Sequence, residues 1–321
     1  MITSVTEFGA IGDGATDDTE AFRDAHKAAL ERGHPVVYVP PGRYVAAIVG
    51  DNRVSWRGER QQTIIQAPTA GVYAITYATY TPVAPEIRHR PFVQGIAVAG
   101  VGRTRGGIRI ENKLGVDLID VTVHECSTGI YSAENYYGTW DRLFVTDNEV
   151  GIHFAPSGDG THTGNKRIIA AQVRLNGIGL LVENRVSRTV FYGGTIEANR
   201  TGVVFDFAGT PAWDDVSALH LRDIWFEANR SVARGAERLL RDGTPIPTGD
   251  LYVHDGTVVL QNCGASHVRV GAQGRLFADF SFVGRGPANA FLDIQAGGYF
   301  EPAHSLVPAP AVTLSPGLGT G

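Results

Sequence analysis

The sequence holds one methionine and two cysteines in 321 residues, and each scarcity narrows what the chain can be. Cys126 and Cys263 lie far apart, outside any C-x-x-C or Cys/His spacing, which removes a disulfide framework and a zinc site and leaves two buried thiols. No run of eighteen apolar residues occurs, so insertion into a membrane is not expected. The opening MITSVTEF lacks the basic and apolar regions of an export signal. A basic excess is missing too. The 28 Lys and Arg against 33 Asp and Glu leave a net charge of −5 with no cationic stripe, which argues against nucleic acid as a partner. No Ser/His/Asp order and no H-E-x-x-H is present, and the sequence calls for no cofactor and no metal.

Glycine is what the chain has in quantity, forty residues of it, with frequent Val and Ile, almost no long helical pattern, and an apolar fraction of 43% that can fill a sizeable core. Short strands joined by turns follow from that composition.

The strands repeat. The segments GIRI (107–110), GIYS (129–132), GIHF (151–154), GLLV (179–182) and GVVF (202–205) recur every 22 to 28 residues. A second phrase keeps step with them: VHEC (123–126), VTDN (145–148), VRLN (173–176), IEAN (196–199) and FEAN (226–229). A unit of about 22 residues with such short strands cannot bury its apolar face alone, so stacking of coil on coil must complete the core. The spacing therefore predicts a parallel β-helix in which Val123, Val145, Val173 and Ile196 form one inward column. Asn148, Asn176, Asn199 and Asn229, with Cys126, are expected in a turn column of left-handed backbone, linked by a ladder of side-chain amides.

The stretch 8-FGAIGDGATDDTEAF-22 invites a chemical reading, but an EF-hand loop fails at Ala15 and Asp18, and the order of Gly9, Gly12 and Gly14 fits no dinucleotide loop. It reads better as a helix start, with Asp17 and Glu20 as a capping box, Phe22, Ala25 and Ala29 on one face, and Gly33 as the stop. A helix at 17–32 would cover the open end of the solenoid, whose core and strand edges need a lid.

The segment VTEFGAIGDGATDDTEAFRDAHKAA followed by 36-VVYVPPGRYVA-46 resembles the N-terminal signature of the pectate-lyase-like superfamily. The resemblance implies an all-β, right-handed, single-stranded parallel β-helix with an N-terminal capping α-helix. The expected organisation is a cap at 1–46, the β-helix at 47–302, and a Pro/Gly-rich tail at 303–321. Members include polysaccharide lyases, glycoside hydrolases and bacteriophage tailspikes, often homotrimers that bind or cut cell-surface glycans. Arg109-Ile110-Glu111 departs from the polygalacturonase steps and Arg88-His89-Arg90-Pro91 only faintly echoes the lyases, so no catalytic residue is carried over.

From the residues themselves, the candidate catalytic set is Glu197, Glu227 and Asp223. If their coils are adjacent, the two glutamates stand roughly 5 Å apart, the separation of a retaining glycosidase pair, and like charge that close favours keeping one proton. A solvated ladder of ion pairs with Arg200 and Arg230 explains the same repetition. Trp213, Asp214 and Asp215 on an outward loop, and Trp140 and Tyr137 at a coil edge, are candidate sugar-binding groups, since aromatic faces beside carboxylates suit sugar rings. Their alternative role is to pack loops or a subunit interface. Asp159 and His162 in 157-SGDGTHTGN-165 form a weaker candidate. The reading that collects these expectations is a virion tail protein, a tailspike or minor tail protein that recognises a bacterial surface polysaccharide, with or without depolymerase activity. It would act as a homotrimer beside other tail proteins. The alternative is a secreted bacterial polysaccharide lyase or glycoside hydrolase.

Overall fold

The computed structural model describes residues 2–51, 53–79, 90–111, 115–156, 163–207, 218–229, 238–279, 281–283, 291–303 and 312–314. Trp213, Asp214, Asp215, Asp159, His162, Arg88, His89 and Arg230 lie outside them. Every strand pairing between coils is parallel, and the coils stack into three long faces, which is the parallel β-helix. The first face runs through Asp117–Ile119, Tyr136–Asp141, Thr189–Glu197 in its first half, and Leu219–Arg222. The second contains Thr122–His124, Phe144–Thr146 and Trp225–Glu227. The third contains Thr128–Ser132, Val150–Phe154, Ile178–Val182 and Thr201–Asp206.

The expected inward column is present. Val123 pairs with Val145, Val145 with Val173, Val173 with Ile196 and Ile196 with Phe226, all buried. Along each strand the neighbouring side chains point outward, as the two-residue period requires. The glycine that opens each third-face phrase has an equally direct cause. A Cβ on Gly129, Gly151 or Gly179 would stand 2.6 Å from the carbonyl oxygen of the corresponding glycine one coil on, so only hydrogen fits between the coils.

In most coils two corners are each turned by a single left-handed residue. Between the first and second faces these are Asp120, Arg142, Ala170, Asp223 and Asn262; between the second and third they are Glu125, Asp147, Leu175, Ala198 and Ala228. An L-residue in this region costs roughly 1–2 kcal/mol. The bend also aims the corner N–H at the next coil: Asp120 donates to the Asp141 carbonyl (3.0 Å), Asp223 to Gln261 (2.9 Å) and Ala198 to Glu227 (2.8 Å). The expectation that the asparagines themselves occupy the left-handed position is corrected here, because each stands one residue later with its side chain turned inward.

There the amide ladder forms. The backbone N–H and Nδ2 of Asn148 both donate to Oδ1 of Asn176, those of Asn176 to Asn199, and those of Asn199 to Asn229, at 2.9–3.1 Å. Cys126 donates its N–H to Asn148 at one end, and Asn229 donates Nδ2 to Asp250 at the other. Both thiols are buried, and burial pushes Cys126 up to about 12 and Cys263 up to about 11, which removes thiolate chemistry near neutral pH.

The helix spans Thr19–Glu31, with Phe22, Ala25 and Ala29 buried and Gly33 left-handed just beyond its end. Phe22 packs on Tyr44 and Trp56 at ring distances of 5.5 and 5.7 Å, so the helix covers the first coil. Its start differs from expectation. Asp17 accepts the first-turn N–H of Thr19 at 2.9 Å as expected, but the cap position is Asp18, whose carboxylate accepts from Ile11 N–H (2.7 Å) and Gly12 N–H (3.2 Å) instead of bonding the helix. The capping box sits earlier, at Ser4 and Glu7 around a short 3-10 turn. Asp13 accepts from Ala15 and Thr16 (both 2.8 Å), so the acids of this stretch shape its backbone. At the far end, Val312–Leu314 pairs with the third-face strand Phe291–Ile294, which adds a strand inside the segment read as a tail.

Candidate functional site

The glutamates meet as the repeat predicts. Glu197 and Glu227 are register partners on adjacent strands of the second face, which puts their backbones about 4.8 Å apart. Both side chains point outward, on the face opposite to buried Ile196 and Phe226. Glu197 lies 3.4 Å from Arg174, its register partner one coil earlier. Asp223 does not join the glutamates. It turns the corner before this strand, four residues and about 13 Å of extended chain from Glu227, and accepts a 2.6 Å bond from Asn262 Nδ2.

Trp225 is what the sequence reading passed over. It stands two residues before Glu227 on the same outward side, 60% exposed, and donates its indole N–H to Glu227 Oε2 at 3.0 Å. The register pairs it with Thr195, beyond which lies Gln172 one coil earlier. On the first face, across the corner, Arg222 lies over the exposed ring of Tyr192 at 5.6 Å. A ridge results in which two carboxylates, two guanidiniums, an amide and an exposed indole share one rigid surface. The signal for Trp225 was available: in W-F-E the flanking residues must share the face opposite to Phe226.

Trp140 is corrected. It is fully buried, stacked on Phe154 at 6.0 Å, with its N–H donated to the Val116 carbonyl and the Lys166 amine 5.3 Å over its ring. No face remains for a sugar. Tyr137 is 59% exposed at the start of a first-face strand, away from the ridge. The third face offers less open surface where Leu240 and Ile246 of the described segment 238–248 pack on Val150, Ile178, Leu181 and Tyr252. Among the described residues no group of three or more His, Cys, Asp or Glu is gathered as a metal site, and no helix is long and apolar enough to cross a membrane.

Comparison with known proteins bears on the fold. The family described as rhamnogalacturonase A/epimerase, pectate lyase-like, matches residues 2–52. Over 51 residues the chain is 44% identical to mannuronan C5-epimerase AlgE6 of Azotobacter vinelandii, a match covering 16% of this chain and 6% of the epimerase. The fold is that of the pectate-lyase-like β-helix proteins. The Dettilon tailspike superposes with a TM-score of 0.62 at 12% identity over 98% of this chain and 68% of the tailspike. PfbA, a surface adhesin of Streptococcus pneumoniae, superposes with a TM-score of 0.54 at 13% identity over 98% of this chain and 100% of the adhesin. At these identities the pectate-lyase-like likeness is one of architecture, and the signature residues lie in the cap and first coils, away from the ridge.

Proposed function

We propose that the chain is a glycan-recognising β-helix of a virion tail, and that the ridge around Trp225 meets a bacterial surface polysaccharide. The observation that carries this is the exposed indole tied to Glu227. A tryptophan left 60% in water on a rigid strand contributes little to the core, while its face offers a stacking platform beside carboxylate and guanidinium groups that bond hydroxyls. Likeness to a tailspike and to a surface adhesin supports a role at a cell surface. A homotrimer and attachment to other tail proteins belong to the same proposal.

The register of Glu197 and Glu227 favours a second reading, in which the same ridge cleaves the glycan. One carboxyl would protonate the leaving oxygen while the other attacks or stabilises the sugar cation, at a spacing suited to retention. One set of variants separates the readings. Trp225→Ala should weaken glycan retention about tenfold in a pull-down on host cell-wall or capsule glycan, and unchanged retention would remove the ridge. Glu227→Gln should abolish any release of reducing ends while leaving retention within a few fold. Parent protein that retains glycan and releases nothing would leave recognition alone. Light scattering that finds a monomer at high concentration would reject the trimer.

A further inference from the structure

A second polar surface lies on the same corner as the ridge, on the coils nearer the N-terminus. The strand Ser55–Gln66 runs out of register with Phe92–Ala99: Arg57 faces Gln94 and Ile64 faces Ala97, so seven steps on one coil oppose three on the next. The four extra residues are pushed outward over the corner. Below them the backbones of Gly58 and Gly95 come so close that a Cβ on Gly95 would stand 2.6 Å from the Gly58 carbonyl oxygen. The result is a groove of about 780 Å³, floored by glycine backbone and walled by Arg60, Gln61 and Gln62 on one side and Asp120 and Arg142 on the other. A second depression of about 650 Å³, lined by Tyr38, Pro35 and Ile2 among others, shares Arg57 and Glu59 with it.

Charge in the groove opposes that of the chain. Three guanidiniums, Arg57, Arg60 and Arg142, face two carboxylates, Glu59 and Asp120, in a protein of net charge −5. Arg142 is committed to Asp120, with bonds of 2.7 and 3.1 Å, and also pairs with Asp141. Glu59 accepts from the Tyr38 hydroxyl at 3.1 Å. Arg60, 76% exposed, reaches Asp120 only at 3.8 Å, and Arg57 forms no ion pair among the described residues. Two guanidiniums are thus left to bond an external anion, flanked by amides and by a tyrosine and a proline that offer flat apolar faces.

We propose that this groove binds a carboxylate-bearing segment of a glycan, with Arg57 and Arg60 on the carboxylate and Tyr38 under a neighbouring ring. The proposal rests on the glycan reading above and adds a substrate class and a second contact point. A linear polysaccharide lying along the corner would meet both the groove and the ridge, and two weak contacts on one chain reinforce each other through effective concentration.

The test is calorimetric titration with oligosialic acid and with oligogalacturonate, each beside its methyl ester, which keeps the rings and removes the charge. At least one acid should bind, its ester should bind about tenfold more weakly, and the double variant Arg57→Gln, Arg60→Gln should show the same loss with an unchanged melting temperature. Equal binding of acid and ester, indifference to the double variant, or no binding of either acid would each overturn the proposal. Retention of neutral cell-wall glycan through Trp225 alongside such a result would sink the groove only. Loss of all glycan retention by the parent protein would sink both readings.

Discussion

Each coil turns two comparable corners, and the buried position after each bend is filled in a different way. Both use one left-handed residue whose N–H reaches the next coil. At the corner between the second and third faces the following side chain points inward, where an unpaired polar group is costly, so position after position is an asparagine that satisfies itself and its neighbour. At the corner between the first and second faces the following residue is equally buried but apolar or a thiol, namely Val121, Leu143, Ala171, Ile224 and Cys263, and at both corners the left-handed residue itself varies in type. A polar position buried between coils admits asparagine after asparagine, whereas an apolar one admits valine, leucine, alanine, isoleucine or cysteine. The corner between the first and second faces carries the groove and flanks the ridge.

The comparison can be broken at the ladder first. Asn176→Ala removes the acceptor of two donors from Asn148 and the donor to the Val145 carbonyl, leaving several buried groups unpaired at a cost of about 3 kcal/mol. Urea unfolding followed by tryptophan fluorescence should show the midpoint fall. A loss as small as that of an ion-pair substitution at the other corner would contradict the account of the asparagine corner.

The next effect has the opposite sign. Lys166 is fully buried inside the coil, with its amine on the Asn135 carbonyl and over Trp140, and burial holds it well below its ordinary value. The unfolded chain, whose lysine titrates near about 10.4, then binds more protons than the folded one, so stability falls as pH drops below that value. Lys166→Met should therefore stabilise, on the order of 1–2 kcal/mol, and more at pH 6 than at pH 9 in parallel melts. A gain independent of pH would mean the amine stays charged.

At the corner between the first and second faces, Asp120→Asn should cost under about 1 kcal/mol and lose most of that effect in high salt, because its pairing with Arg142 is screened. Smallest of all, Ala198→Gly and Ala170→Gly should each gain about 0.5 kcal/mol by relieving left-handed strain. Equal gains would show that the two corners share a backbone cost and differ only in the buried residue that follows the bend; unequal gains would show that the bends themselves differ.

The same contrast explains what could be read in advance. The column of Val123, Val145, Val173 and Ile196 and the asparagine ladder were visible because burial and close coil spacing admit few residue types. The pairing of Glu197 with Glu227 followed from the same count. Trp140 was misread because a tryptophan beside an aspartate looks alike whether it faces solvent or core, and only the Phe154 stack and the Val116 bond decide. The cap position moved to Asp18 because its carboxylate serves the loop amides of Ile11 and Gly12, while Asp17 keeps the expected bond to the Thr19 N–H.

By itself the sequence determined the period, the identity of the asparagine corner, the inward column and the capping helix, since each depends on apolar burial or backbone chemistry repeated along the chain. Only the tertiary structure decided that Arg57, Arg60 and Arg142 share a groove and that Trp225 stands outside. Those placements depend on a four-residue slip between two coils and on which side of a strand faces water, and no repeated pattern records either.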